Sequence, residues 1–225
     1  MNASGDEQVK EMDKVNDLSR RRFFQLAGGI AGAGILLSAC NKRTPATDVS
    51  LGSGDTALLN FLYILEQLEA DFYTQAVATP YYGLTFSENV LLTDLRDQEI
   101  AHKEFIQGLL GSNAVSAIKT NFSAATFADR TSVLTVGAQL EDLVVAGFNG
   151  AAHLFNNGDY ILLCAKMVTA EARHAAYFRD ALNYNSFANG VIDGNGLDQS
   201  LSPQTVLSQA EKYILTHLDA SSLPN

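Results

Sequence analysis

Tryptophan is absent from the 225-residue chain, and proline and cysteine are scarce, at four and two residues. So few prolines leave room for long uninterrupted helices, and two cysteines exclude a disulfide-built scaffold. Basic residues are also short: 15 Lys+Arg face 25 Asp+Glu, a formal charge of -10. A nucleic-acid binder needs a basic footprint to displace phosphate counterions, so that class is excluded. What is present, 47% hydrophobic and 18% charged residues, is a globular composition. The length suits one domain of ordinary size with a sizeable core.

The N-terminus is segmented. A polar stretch over 1–18 precedes Ser19-Arg20-Arg21-Arg22-Phe23-Phe24-Gln25, then the apolar, glycine-rich run from Leu26 to Ala39, then Cys40. A basic region, a short apolar region and small residues before a junction describe an export signal. The run is too short to cross a bilayer, which takes about 20 apolar residues. SRRRFFQ resembles the twin-arginine export motif, with its pair at Arg20 and Arg21. Leu37-Ser38-Ala39-Cys40 resembles a bacterial lipoprotein cleavage box, which implies lipid on Cys40. Residues 1–39 are therefore expected to be an export signal and 40–54 (Thr/Ser/Gly/Pro-rich) a flexible tether. Removing 1–39 takes away five basic and five acidic residues and leaves 10 against 20. The expected location is the periplasm or cell envelope, with a lipid on Cys40 as the link to the membrane.

From Asp55 onward the apolar period is helical. Helices are expected over about 55–77, 88–110 (N-cap Ser87), 131–155 and 159–182 (cap Asp159). Thr79-Pro80, Gly111 and Asn156-Asn157-Gly158 end the first three. Ser202-Pro203 opens a short fifth helix to about His217. The fold class is all-α: a four-helix bundle over 55–185, with a C-terminal extension over 186–225. Short turns join helices one to two and three to four, and a crossover of about 20 residues joins two to three.

Acidic residues interrupt the apolar stripes at mid-helix. Along the seams, helix two reads Leu92, Leu95, Glu99, His102, Ile106, Leu109. Helix three reads Leu134, Ala138, Glu141, Val145, Phe148. Helix four reads Tyr160, Cys164, Met167, Glu171, His174, Phe178. Helix one offers two seams, one carrying Glu66 and the other Glu69. A buried unpaired carboxylate costs several kcal/mol, so it must be neutralised, paired or bound to a cation. The seams carry no Lys or Arg, which leaves divalent metal as the economical partner. Glu99-x-x-His102 and Glu171-x-x-His174 each put a carboxylate and an imidazole on one helical face. With one Glu from each remaining helix, four carboxylates match the charge of two divalent cations. Carboxylate and imidazole suit iron and manganese, with iron favoured.

The ligand order resembles the ferritin-like di-metal superfamily. LEQLEADFY, QEIAHKEFIQGLLG, AEARHAAYFRDAL and the tail SPQTVLSQAEKYI resemble exported ferritin-like proteins related to the plant desiccation-related family. The resemblance spans about residues 55–214 and implies a ferritin-like bundle. It also implies a metal set of Glu66, Glu99, His102, Glu141, Glu171 and His174, with Glu69 as the alternative to Glu66. Glu66 stands seven residues before Tyr73, the register of the ligand in rubrerythrin-like helices. Val144 replaces the second carboxylate that rubrerythrin-like relatives carry one turn after Glu141. There is no Cys-x-x-Cys pair for an attached electron-transfer domain. Rubrerythrin-style peroxidase chemistry is therefore not implied.

Two classes of function follow. One is a di-iron oxidase, with Glu99 and Glu171 bridging, His102 and His174 each on one metal, and a metal ion or small oxidant as partner. The other is a non-catalytic envelope or desiccation-protection protein with a structural or vacant site; a manganese catalase is a third reading. Arg96 and Arg173 are expected in rim ion pairs, Tyr63, Tyr73 and Tyr177 in the core, and Cys164 as a small buried residue.

Overall fold

The computed structural model describes residues 48–224. The expected export signal with Arg20 and Arg21, the expected lipid site Cys40, and the first part of the tether lie outside the described residues. Four long helices dominate: α1 (Gly54–Ala78), α2 (Phe86–Leu110), α3 (Arg130–Ala152) and α4 (Gly158–Leu182). A shorter α5 (Pro203–Ala210) follows. The fold is the expected all-α bundle, with α1 packed along α2 and α3 along α4. Among the described residues no helix is long and apolar enough to cross a membrane.

Capping differs from expectation in ways local chemistry explains. The α2 N-cap is Thr85 rather than Ser87: Thr85 accepts from the Glu88 N–H while the Glu88 carboxylate accepts from the Thr85 N–H. Only the residue three before Glu88 can close that reciprocal box. Glu88 also accepts from Arg130 Nε at 2.6 Å, tying the start of α2 to the start of α3. Asn157, not Asp159, caps α4, its side chain accepting from the Asp159 N–H. Helix α3 ends at Ala152, three residues short of the expected end.

α1 is the central helix, buried on nearly every side from Ala57 to Tyr73. Its buried polar residues hold the crossover. Asn60 Nδ2 donates to the carbonyls of Leu51 and Asn113, and its Oδ1 accepts from the Val115 N–H. One heptad on, Gln67 Oε1 accepts from the Ile118 N–H. The crossover opens with a 3-10 turn over Gly111–Asn113, and its Phe122 and Phe127 rings pack on Phe72. These contacts carry the chain across the bundle between α2 and α3.

The C-terminal segment is less helical than its sequence suggests. After α5 the chain takes one 3-10 turn (Glu211–Tyr213) and then extends. Leu215 N–H donates to the Lys119 carbonyl, and Asn121 N–H to that of Tyr213. Tertiary pairing with the crossover thus replaces the last helical turn expected before His217. Further on, β2 (Leu218–Asp219) pairs in parallel with β1 (Val49–Ser50). Residues 49–51 of the expected tether are therefore held in the fold, with Leu51 fully buried.

Candidate metal centre

Each ligand candidate sits at mid-helix with buried apolar residues a turn or two either side. On α2 these are Leu92, Leu95 and Ile106; on α3 Leu134 and Phe148; on α4 Met167 and Phe178. Folding the amphipathic faces inward therefore carries Glu66, Glu99, Glu141 and Glu171 to zero exposure. The helices bring all six expected residues together. One group joins Glu66, Glu99, His102 and Glu171; the other joins Glu99, Glu141, Glu171 and His174.

The distances show how the two groups share residues. His102 Nδ1 lies 3.1 Å from Glu99 Oε2, 2.9 Å from Glu171 Oε1 and 3.5 Å from Glu66 Oε2. His174 Nδ1 lies 3.1 Å from Glu99 Oε1, 3.2 Å from Glu171 Oε2 and 3.5 Å from Glu141 Oε2. Glu99 and Glu171 thus each turn one oxygen to each imidazole, while Glu66 and Glu141 belong to one group apiece. Donor atoms around one ion with bonds of about 2.1 Å stand about 3 Å apart in octahedral geometry, and these spacings are of that size.

Hydrogen bonding leaves most of these atoms without a partner. Glu66 Oε1 and Oε2, Glu99 Oε1, Glu141 Oε2, Glu171 Oε1 and Oε2, and His174 Nδ1 are buried with no hydrogen-bond partner. Buried polar atoms are almost always paired, so a convergent set of orphaned oxygens and an imidazole nitrogen fits a cation. Two such groups sharing two carboxylates fit a di-metal site.

Burial and the crowding of charge shift the ionisation of the cluster in both directions. Burial pushes the Glu66 carboxyl well above its ordinary range, with His102 opposing and Glu171 and Glu99 adding to the rise. Burial likewise raises Glu141, to about 8, against the opposing pull of His174. Burial would raise Glu99 too, but His102 and His174 outweigh it and hold that carboxyl at about 2. Desolvation disfavours charge on both imidazoles, yet Glu171, Glu66 and Glu99 drive His102 far above the usual imidazole range. Glu141, Glu171 and Glu99 raise His174 to about 12.

Three residues of the centre lie outside the expected ligand set. The Tyr73 hydroxyl donates to Glu141 Oε1. Gln98 Oε1 lies 3.2 Å from His174 Nε2 and accepts its proton, so that Nδ1 faces the carboxylates. Glu69, weighed as the alternative to Glu66, is fully buried as well, and neither of its oxygens has a partner. The spacing rule that finds Glu-x-x-His pairs does not reach Gln98, which stands one position off its helix's seam. Among the six, His102 is the most exposed, its side chain 17% accessible to solvent.

The remaining expectations divide. Arg96 pairs with Asp97 at 2.7 Å, as a rim residue should, whereas Arg173 donates to its own helix at the Thr169 carbonyl. Tyr63 and Tyr73 are in the core, but Tyr177 is partly exposed, its ring edge-on to Phe178. Cys164 is buried, and burial lifts its thiol to about 12, as for an inert core residue. His153 and His217 are exposed and take no part in the cluster.

Residues 54–184 match the description of a ferritin-like domain. No curated protein matches the chain. Among solved structures the chain is similar to the hypothetical protein MJ0754 from Methanococcus jannaschii DSM 2661. That likeness has 17% identity and a TM-score of 0.48, covering 76% of this chain and 96% of that one. The matched span includes all four long helices and every member of the cluster, and the chain belongs to the ferritin-like domain family.

Proposed function

We propose that this chain is an exported ferritin-like protein whose buried centre holds two transition-metal ions, iron in preference to manganese, and acts as an Fe(II) oxidase with O2 or peroxide as acceptor. The observation that carries the reading is the set of orphaned, fully buried carboxylate oxygens converging with two imidazoles. Glu66 and His102 would hold one ion, Glu141 and His174 the other, and Glu99 and Glu171 would bridge. Bound there, paired iron supplies the electrons for reducing a small oxidant.

The chain's own contribution is positional and electrostatic. Gln98 orients His174, and the Tyr73 hydroxyl steadies Glu141. Apolar neighbours on each helix keep water from the carboxylates. The partly exposed His102 marks the side from which ions or a small oxidant arrive. The sequence motifs at Arg20-Arg21 and Cys40 support export of a folded protein and anchoring by lipid at the cell envelope.

One observation favours a second reading. The carboxylates around them drive both imidazoles toward the cationic form, which suits a non-catalytic envelope or desiccation-protection protein with a structural or vacant site. Measuring iron and manganese per chain, then O2 uptake on adding Fe(II), separates the two. The oxidase reading expects about two metal ions per chain, O2 consumption, and loss of both in Glu99→Ala/Glu171→Ala. Two ions without turnover would establish the structural reading. Metal no higher than in the double variant would sink the di-metal site.

A further inference from the structure

The six-residue set does not use Glu69, although it is as deeply buried as any of the six. It lies one helical turn beyond Glu66 on the same face of α1. Four residues further along that face, Tyr73 donates to Glu141. Glu69 is therefore placed on α1 between the residue that reaches the His102 group and the residue that reaches the His174 group. The charges that bear on it, after burial itself, are Glu141 first, then Glu99, Glu171 and Glu66. Its place on α1, one turn before the Tyr73–Glu141 contact, sets it at the Glu141 end of the cluster.

No role within the protein accounts for it. Neither Glu69 oxygen has a hydrogen-bond partner, and a buried unsatisfied group destabilises the fold even when neutral. Protonation removes the charge but still leaves a donor without an acceptor. A cation at the Glu141–His174 position is the partner the geometry lacks.

Building on the di-metal reading above, we infer that Glu69 is a seventh metal-ligating residue, an additional carboxylate for the Glu141–His174 position and not a substitute for Glu66. The two positions are then unequal. One is served by Glu66 and His102 with the shared Glu99 and Glu171; the other by Glu141, His174 and Glu69 with the same shared pair. Five carboxylates exceed by one the charge of two divalent ions. The excess sits at the second position, which suits it to a more highly charged transition-metal cation.

The test is anaerobic titration of the metal-free protein with Mn(II), followed by calorimetry and by electron paramagnetic resonance, together with metal-free melting curves. Wild type should bind two equivalents. Glu69→Gln should keep one at wild-type affinity and weaken the other ~10–100-fold, the size of effect seen when a supporting metal-site residue is lost. Glu141→Gln should weaken that same equivalent, and Glu66→Gln the opposite one. The metal-free Glu69→Gln protein should melt no lower than wild type, because Glu69 makes no hydrogen bond for the substitution to remove. Two unchanged equivalents in Glu69→Gln would overturn the inference and leave the six-residue centre standing. A lower metal-free melting temperature, or failure to fold, with both equivalents weakened alike would also overturn it, by making Glu69 structural. Wild type binding no Mn(II) or Fe(II) would instead overturn the di-metal centre itself.

Discussion

At the scale of single residues, the imidazoles of the centre need an orienting contact as well as carboxylate neighbours. Gln98 accepts from His174 Nε2 and so turns Nδ1 inward. Replacing Gln98 with Leu removes that acceptor while keeping a side chain of similar length at a half-buried position. Metal affinity should fall ~10–100-fold, measured by chelator competition, with little change in metal-free melting temperature. The Glu-x-x-His pairs were legible because their ligands share one helix and one face. Gln98 was not, because its contact crosses from α2 to α4 and no single-helix period reports such a crossing. The choice between Glu66 and Glu69 was ambiguous for a different reason. α1 is buried all round, so both of its seams are core seams and periodicity cannot rank them.

At the scale of elements, the long helices and their order could be read from apolar period and turn residues, whereas caps and the C-terminal segment depended on tertiary partners. Ser87 and Thr85 are chemically similar caps, and the reciprocal bond with Glu88 decides between them. The segment after α4 shows a sharper dependence. Leu201 N–H donates to the Ala146 carbonyl of α3 at 3.1 Å, which brings backbone against helix. A Cβ added at Gly150 would lie 1.7 Å from the Leu201 carbonyl oxygen. Gly150→Ala must therefore push the segment off α3 and should cost at least ~1–3 kcal/mol, read by urea denaturation. Gly108 on α2 is the control: it is exposed, and nothing lies within 4 Å of an added Cβ. Gly108→Ala should stabilise by ~0.5–1 kcal/mol through helix propensity alone. A Gly150→Ala protein as stable as wild type would show that the C-terminal segment contributes nothing to the fold.

At the scale of the whole molecule, the net charge of -10 is not purely a surface property, since five glutamates of the bundle are fully buried, four of them converging in one cluster. Within it, the carboxyls that burial raises, Glu141 among them, oppose folding of the metal-free protein at neutral pH. Glu141, raised to about 8, titrates near 4.3 in an unfolded chain. Its contribution to stability is thus present below about 4.3 and lost as pH rises toward 8. At neutral pH, Glu141→Gln should therefore melt higher than wild type when both are metal-free, and the difference should shrink toward pH 4. Metal reverses the ranking. An ion that binds only the folded chain at 100 times its dissociation constant stabilises by ~2.7 kcal/mol. For a domain of this size that is a rise of about 5–11 °C, at ~2–4 °C per kcal/mol. Wild type should show this rise on adding metal and lose it to a chelator, while Glu141→Gln shows a smaller one. A cluster kept for stability predicts the opposite order in the metal-free state, with Glu141→Gln melting lower. The metal-free melting temperatures at pH 7 and pH 4 therefore discriminate between a centre built to bind cations and one built to brace the helices.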